Sequence, residues 1–280
     1  MKSWTASLRS GLEMPCPGFG TWQMGENSRD RDAEVRALRH AFDTGFRHFD
    51  TAEMYAEGGA EEVLAEALST KDRDSVFITS KFYPHHARAD QMVRACERSL
   101  DRLQMEVIDL YLLHWPGSTP FEETLSGVRA LLDHGKIRAF GVSNFDMRLM
   151  RQTIDAGMAD LIDVNQVMYN PARRGIEFDL LPLLHQHRIP CVAYTPIEPW
   201  QIEGNADFAA LAAEAGLSPV QLAMAWHCTR QVACPIPKSA TPAHIDALAT
   251  ATEVTLSEDQ LARIDEAFPP PSRAVTLDIF

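Results

Sequence analysis

The chain has 280 residues, of which 45% are hydrophobic and 23% charged, and a formal net charge of −13. That apolar share is enough for a large core and excludes disorder. The acidic balance excludes a nucleic-acid or anionic-membrane surface, which needs a basic footprint to release counterions, and leaves a small molecule as the better partner.

In chain order, short β-type apolar runs alternate with longer amphipathic segments. A first stretch, 8–17, carries Gly11 at a turn and is expected to form a hairpin plugging one end of the fold. Eight strand candidates follow, at 19–22, 47–51, 76–81, 108–114, 139–143, 164–167, 190–195 and 233–237. Strands alternating with helices read as repeated βα units around a parallel sheet. At this length the expectation is one domain, 1–280, folded as a (β/α)₈ TIM barrel. Helix starts are visible where a hydroxyl precedes Pro at the first helical position, in Thr119-Pro120-Phe121-Glu122 and Ser218-Pro219-Val220-Gln221. Ser257-Glu258-Asp259-Gln260 is a capping box before a face made of Leu261, Ile264 and Phe268, and Pro269-Pro270-Pro271 ends that helix ahead of a short surface tail.

The five cysteines, at 16, 96, 191, 228 and 234, form no CxxC pair and leave an odd one over, which suits a reducing compartment better than a disulfide framework or a zinc site. The N-terminus lacks an apolar signal core, and no run approaches the ~18 uncharged apolar residues of a membrane span. The expected location is the cytoplasm, with no membrane contact. No feature sets an oligomeric state.

In an eight-fold barrel the reactive groups sit at the C-terminal ends of strands. Asp50, Lys81 and His114 each end an apolar run, and Tyr55 follows Asp50 on the next loop. Singly these read as a helix cap, a solvated strand end, a core imidazole and a loop aromatic. Together, an acid, an amine, an imidazole and a phenol at one mouth provide what carbonyl reduction needs, a tuned proton donor and donors aimed at a developing alkoxide. Neither His85-His86 nor His185-Gln186-His187 has a Cys, Asp or Glu partner at ligand spacing, so no metal is expected. Hydride must come from a cofactor, and no strand-linked G-x-G-x-x-G points to a Rossmann domain.

The motifs Gly18-Phe19-Gly20-Thr21-Trp22, Gly45-Phe46-Arg47-His48-Phe49-Asp50-Thr51-Ala52-Glu53-Met54-Tyr55, Leu112-Leu113-His114-Trp115-Pro116, Gly141-Val142-Ser143-Asn144-Phe145 and Ile236-Pro237-Lys238-Ser239 occur in this order. Together they resemble the ordered motifs of the aldo-keto reductases, most like the bacterial diketogulonate-reductase-like members. The resemblance implies NADPH-dependent reduction of an aldehyde or ketone, with Tyr55 as general acid, Lys81 and Asp50 as its tuning pair and His114 orienting the carbonyl. A phenol of pKa ~10 gives up its proton reluctantly, and each unit by which an ammonium lowers that value is worth ~1.4 kcal/mol, so a lowered Tyr55 pKa is expected.

By the same resemblance Ser143, Asn144 and Gln166 hold the nicotinamide carboxamide, Tyr194 stacks on its ring, and Gly20, Thr21 and Asp50 lie near its ribose. Lys238-Ser239 beside the helix start at Thr241-Pro242 makes an anion site suited to a phosphate. Here the chain departs from the family pattern, with His244 where an Arg is common and Ala247 and Leu248 where a Glu-Asn pair is common. NADPH is expected to bind better than NADH, by a modest margin. A second departure is Ala56-Glu57-Gly58-Gly59-Ala60-Glu61-Glu62, longer and richer in glycine than the usual loop, at the rim of the mouth. The expected substrate pocket is aromatic, formed by Trp22, Tyr55, Phe82, His114 and Trp115, with Tyr83 and Trp200 as further candidates. The competing reading is a catalytically silent cofactor-sensing or regulatory protein on the same barrel.

Overall fold

In the computed structural model, which describes residues 1–279, the chain opens with an antiparallel hairpin of β1 (Trp4–Ser7) and β2 (Glu13–Cys16). Its turn is closed by the Leu8 N–H donating to Leu12 O at 2.8 Å, with Gly11 at φ 86°. The hairpin lies where it was expected and begins four residues earlier.

Eight parallel strands follow: β3 (Gly18–Gly20), β4 (His48–Asp50), β5 (Phe77–Phe82), β6 (Ile108–Leu113), β7 (Ile137–Ser143), β8 (Asn165–Met168), β9 (Cys191–Tyr194) and β10 (Cys234–Pro235). Each pairs with its sequence neighbour, and the Gly20 N–H donates to Pro237 O at 2.8 Å to bring the last segment against the first. Between β3 and β8 lie α1 (Arg31–Thr44), α2 (Gly59–Leu68), α3 (Ala89–Leu103), α4 (Phe121–Asp133) and α5 (Met147–Asp155). Then come α6 (Leu180–Gln186), α7 (Pro199–Glu203), α8 (Ala206–Glu214), α9 (Pro219–Arg230), α10 (Pro242–Ala251) and α11 (Glu258–Ala267). This is the (β/α)₈ barrel. No single helix among the described residues is long and apolar enough to cross a membrane.

Strand alternation sorts the core into two layers. Phe77, Leu110, Leu112, Ala139, Val164 and Val192 point into the barrel and meet Leu8, Met14 and Cys16 of the hairpin, which packs against the barrel core. Ile78, Phe82, Tyr111, Leu113, Phe140 and Val142 point outward and pack among the helices. This corrects one expectation. Phe82 is fully buried against the rings of Tyr111 and Phe140, so it lines no substrate pocket. The period of two is the reason, since Lys81 faces the interior and its successor must face away.

Smaller differences have local causes. Strand β10 stops at Pro235 because Pro235 and Pro237 have no N–H to give a ladder. Strand β3 stops before Thr21, whose N–H and Oγ1 both turn to Asp50 O, at 3.0 and 3.1 Å. Helix α4 begins at Phe121, because Pro120, at ψ 135°, is itself the extended cap residue and Thr119 lies outside. The capping boxes of Ser218 with Gln221 and Ser257 with Gln260 form as expected.

Gly141 on β7 shows how tightly the barrel wall is packed, since a Cβ there would lie 2.7 Å from Leu112 Cδ2 and 2.9 Å from Val164 O. The second contact is with backbone and cannot move aside by rotation. Gly141→Ala should therefore destabilise the fold by about 2 kcal/mol, read as a lower urea midpoint at unchanged m-value.

Candidate active site

At the C-terminal end of the strands the sequence leaves polar residues where the core ends, and three of them meet at a buried ammonium. Lys81 Nζ donates to Asp50 Oδ1 at 2.5 Å, to Thr51 O at 2.9 Å and to Tyr55 Oη at 3.1 Å. An ammonium has three N–H groups, so each has an acceptor. Burial pulls the Lys81 pKa down, but Asp50 and Tyr55 push it further up, and the amine is held charged. Asp50 Oδ2 accepts from Gln166 Nε2 at 2.8 Å, fixing the carboxylate from the far side of the barrel. Breaking one member of such a buried pair costs about 3–5 kcal/mol, because the other is left uncompensated.

Tyr55 accepts the Lys81 bond and makes no other side-chain hydrogen bond among the described residues, so its own proton points away from Lys81. Burial raises its pKa above the ordinary phenol value, Lys81 works in the opposite direction, and the net direction is up. The expectation of a lowered value is thus corrected: desolvation outweighs the ammonium, which offsets the burial without reversing it.

His114 lies edge-on to Tyr55, with ring centroids 5.7 Å apart. Burial, reinforced by the Lys81 charge, lowers its pKa well below 6.5, so the ring is neutral. Nδ1 is buried with no hydrogen-bond partner among the described residues. An orphaned lone pair is tolerated more readily than an orphaned N–H, which puts the ring proton on Nε2.

The remaining candidates fall into two groups. On adjacent strand ends, Ser143 Oγ donates to Gln166 O at 2.9 Å, Asn144 Nδ2 donates to His114 O at 3.2 Å, and Tyr194 Oη donates to Asn144 Oδ1 at 2.8 Å. Gly20, Thr21 and Lys238 lie together across the join between the first and last strands, with Lys238 Cβ near Gly20. Ser239 Oγ accepts from the Thr241 N–H at 3.1 Å, while Lys238 and His244 are exposed. Trp115 packs on His114, with centroids 5.0 Å apart, and Trp22 is exposed.

Sequence reading missed the clamp behind Tyr55. Glu61, fully buried on α2, accepts from Ser80 Oγ at 2.6 Å and from Arg102 Nε at 2.7 Å. Arg102 in turn covers Gly58, where a Cβ would lie 2.2 Å from its Nε. Ala56 and Glu57 take left-handed φ values of 51° and 52°, costing about 1–2 kcal/mol each for a side-chain-bearing residue. Gly25 approaches so closely that its Cβ would lie 2.5 Å from Gly59 C, and the two rim loops interlock there. The only signal in the sequence was the unusual glycine content.

The sequence profile of the Aldo/keto reductase family matches residues 18–268. The chain belongs to this family. It is accordingly an NADPH-dependent oxidoreductase acting on aldehyde or ketone carbonyls. It is 42% identical to the methylglyoxal reductase YeaE of Escherichia coli (strain K12) over 96% of both chains. It is 32% identical to a glyoxal reductase of Bacillus subtilis (strain 168), over 93% of this chain and 91% of that one. An aldo-keto reductase from Klebsiella pneumoniae, solved in complex with NADPH, superimposes with a TM-score of 0.91 at 41% identity over the whole of both chains. No support emerges for a silent regulatory barrel.

Below the loop that follows β9, His227 donates from Nε2 to Pro196 O at 3.1 Å, and burial lowers its pKa from 6.5 to about 3. Above pH 6.5 neither the folded nor the unfolded chain protonates it. As pH falls below that value the unfolded chain takes up a proton that the folded chain refuses, so stability is lost. Between pH 7 and pH 5 this residue should account for about 2 kcal/mol of lost unfolding free energy. His227→Gln keeps a donor to Pro196 and should remove that share of the slope in urea titrations at the two pH values.

Proposed function

We propose that this chain, working as one barrel domain in the cytoplasm, reduces small 2-oxoaldehydes of the methylglyoxal and glyoxal type, with Tyr55 as the proton donor. The observation that carries the proton assignment is the exhaustion of the three Lys81 N–H groups, one on Tyr55 Oη, which turns the phenol proton toward the mouth beside a neutral imidazole. The named activities of the E. coli and B. subtilis relatives support the substrate class. Five free, buried thiols suit a reducing compartment.

The donor set fits a nicotinamide. Ser143, Asn144 and Gln166 offer amide and hydroxyl groups on neighbouring strand ends, and Gln166 keeps one amide oxygen with no protein partner among the described residues. Tyr194 offers a ring face, Gly20, Thr21 and Asp50 a wall for the ribose, and Lys238, Ser239 and His244 a site for a phosphate. NADPH, when bound, supplies the hydride to the carbonyl carbon. His114 Nε2–H donates to the carbonyl oxygen and fixes its direction. Tyr55 releases its proton to that oxygen as charge develops there, leaving a phenolate that the Lys81 ammonium stabilises across the same hydrogen bond. Asp50 holds the ammonium through this exchange, and solvent returns the proton. Trp22, Trp115 and His114 form the walls of the substrate pocket.

Tyr55→Phe should lower kcat for methylglyoxal, followed as loss of NADPH absorbance at 340 nm, by ~10² or more while leaving NADPH affinity nearly intact. Turnover near wild type would remove the proton-donor assignment. Because burial raises the phenol pKa and lowers that of His114, kcat for reduction should stay flat from pH 6.5 to pH 9. At the phosphate end, a guanidinium is always charged and presents a planar fork of donors that an imidazole lacks, so His244→Arg should tighten NADPH binding at pH 8 by about 1 kcal/mol and change NADH little. Equal effects on both cofactors would move His244 away from the 2′-phosphate.

A further inference from the structure

The strap that follows Tyr55 holds a charge that the chemistry above does not use. Ala56, Glu57 and Gly58 run through φ values of 51°, 52° and 93°, and Arg102 and the Gly25–Gly59 contact lock them in place. A glycine would take the conformation of residue 57 without strain. A glutamate there is held against its own preference, and such positions cluster where function requires them. Its carboxylate is exposed at the mouth and accepts the Tyr83 hydroxyl at 3.3 Å. No cation pairs with it among the described residues, whereas Glu53 has Arg98, and Glu61 has Arg102.

A continuous line of rings joins that carboxylate to the reacting phenol. Tyr83 meets Trp115 at 5.9 Å between centroids, Trp115 meets His114 at 5.0 Å, and His114 meets Tyr55 at 5.7 Å. Along this line Lys81 is matched by Asp50 and His114 is neutral, so Glu57 is the charge left uncompensated. We propose that Glu57 is a charge filter that favours neutral carbonyl substrates over carboxylate-bearing ones of the same size. The inference rests on the reading that this mouth reduces small aldehydes, and it adds which of them enter. Two like charges about 6 Å apart in water change relative affinity about three-fold, and salt screens that effect over ~10 Å at 0.1 M.

The test is the ratio of kcat/KM for methyl 4-oxobutanoate to that for 4-oxobutanoate, one aldehyde with and without its charge, at saturating NADPH and pH 8. Glu57→Gln should lower this ratio about three-fold and flatten its dependence on ionic strength. Glu106→Gln, at the opposite end of the barrel, serves as the control for net charge and should leave the ratio in place. An unchanged ratio in Glu57→Gln, or the same fall in both variants, overturns the filter. Titrating the same pair against NADP⁺-loaded protein by tryptophan fluorescence gives the affinity ratio without turnover. Absence of turnover on methylglyoxal and on both of these aldehydes would therefore count against the reduction reading alone. An affinity ratio that Glu57→Gln does not move would count against the filter alone.

Discussion

An ammonium taken inside a barrel loses hydration that no single contact replaces, so Lys81 is held there only by having all three N–H groups answered. That requirement reaches outward through the fold. Asp50 has to end β4 one strand away, Thr51 has to leave its carbonyl outside the ladder, and Tyr55 has to come back over the strand ends within four residues of Thr51. Gln166 then has to reach Asp50 from β8, across the interior. The closed parallel barrel meets all of these conditions because its strands point their C-terminal ends at one shared space.

The same pair sets the electrical character of the mouth. Lys81 and Asp50 cancel at a distance while acting strongly on whatever touches them, and burial keeps His114 uncharged beside them. A site built in this way has little long-range pull on an ion approaching from solvent. Selection by charge is left to the rim, where the strained strap and the Tyr83–Trp115 pair stand.

Much of this was legible in the sequence. Apolar runs with a polar last residue located the strands, and Asp50, Lys81 and His114 announced themselves as strand ends. What was not legible depends on which way a side chain faces or on how much water it loses. Phe82 and Lys81 are neighbours in a run, and only the pleat decides that the amine faces inward and the ring outward. The Tyr55 pKa was read from its charged neighbour, but its direction is decided by desolvation, a property of the assembled site. Thr119 has the composition of a cap, yet the helix starts one residue later because Pro120 takes that position. The left-handed backbone of Ala56 and Glu57 has no residue signature, since neither type favours it.

The short β10 leaves the barrel with a seam. Elsewhere each strand is joined to its neighbour by a ladder, whereas here two prolines remove donors and the Gly20 N–H to Pro237 O bond bridges the gap. Local opening begins where the fewest bonds have to break, so the amide of Gly20 is a natural reporter of barrel breathing in hydrogen exchange. Thr21 stands on one bank of that seam and Lys238 on the other, and Thr21 is bonded to the backbone of Asp50. Opening and closing of the cylinder are therefore mechanically linked, through one peptide unit, to the residue that holds the buried ammonium.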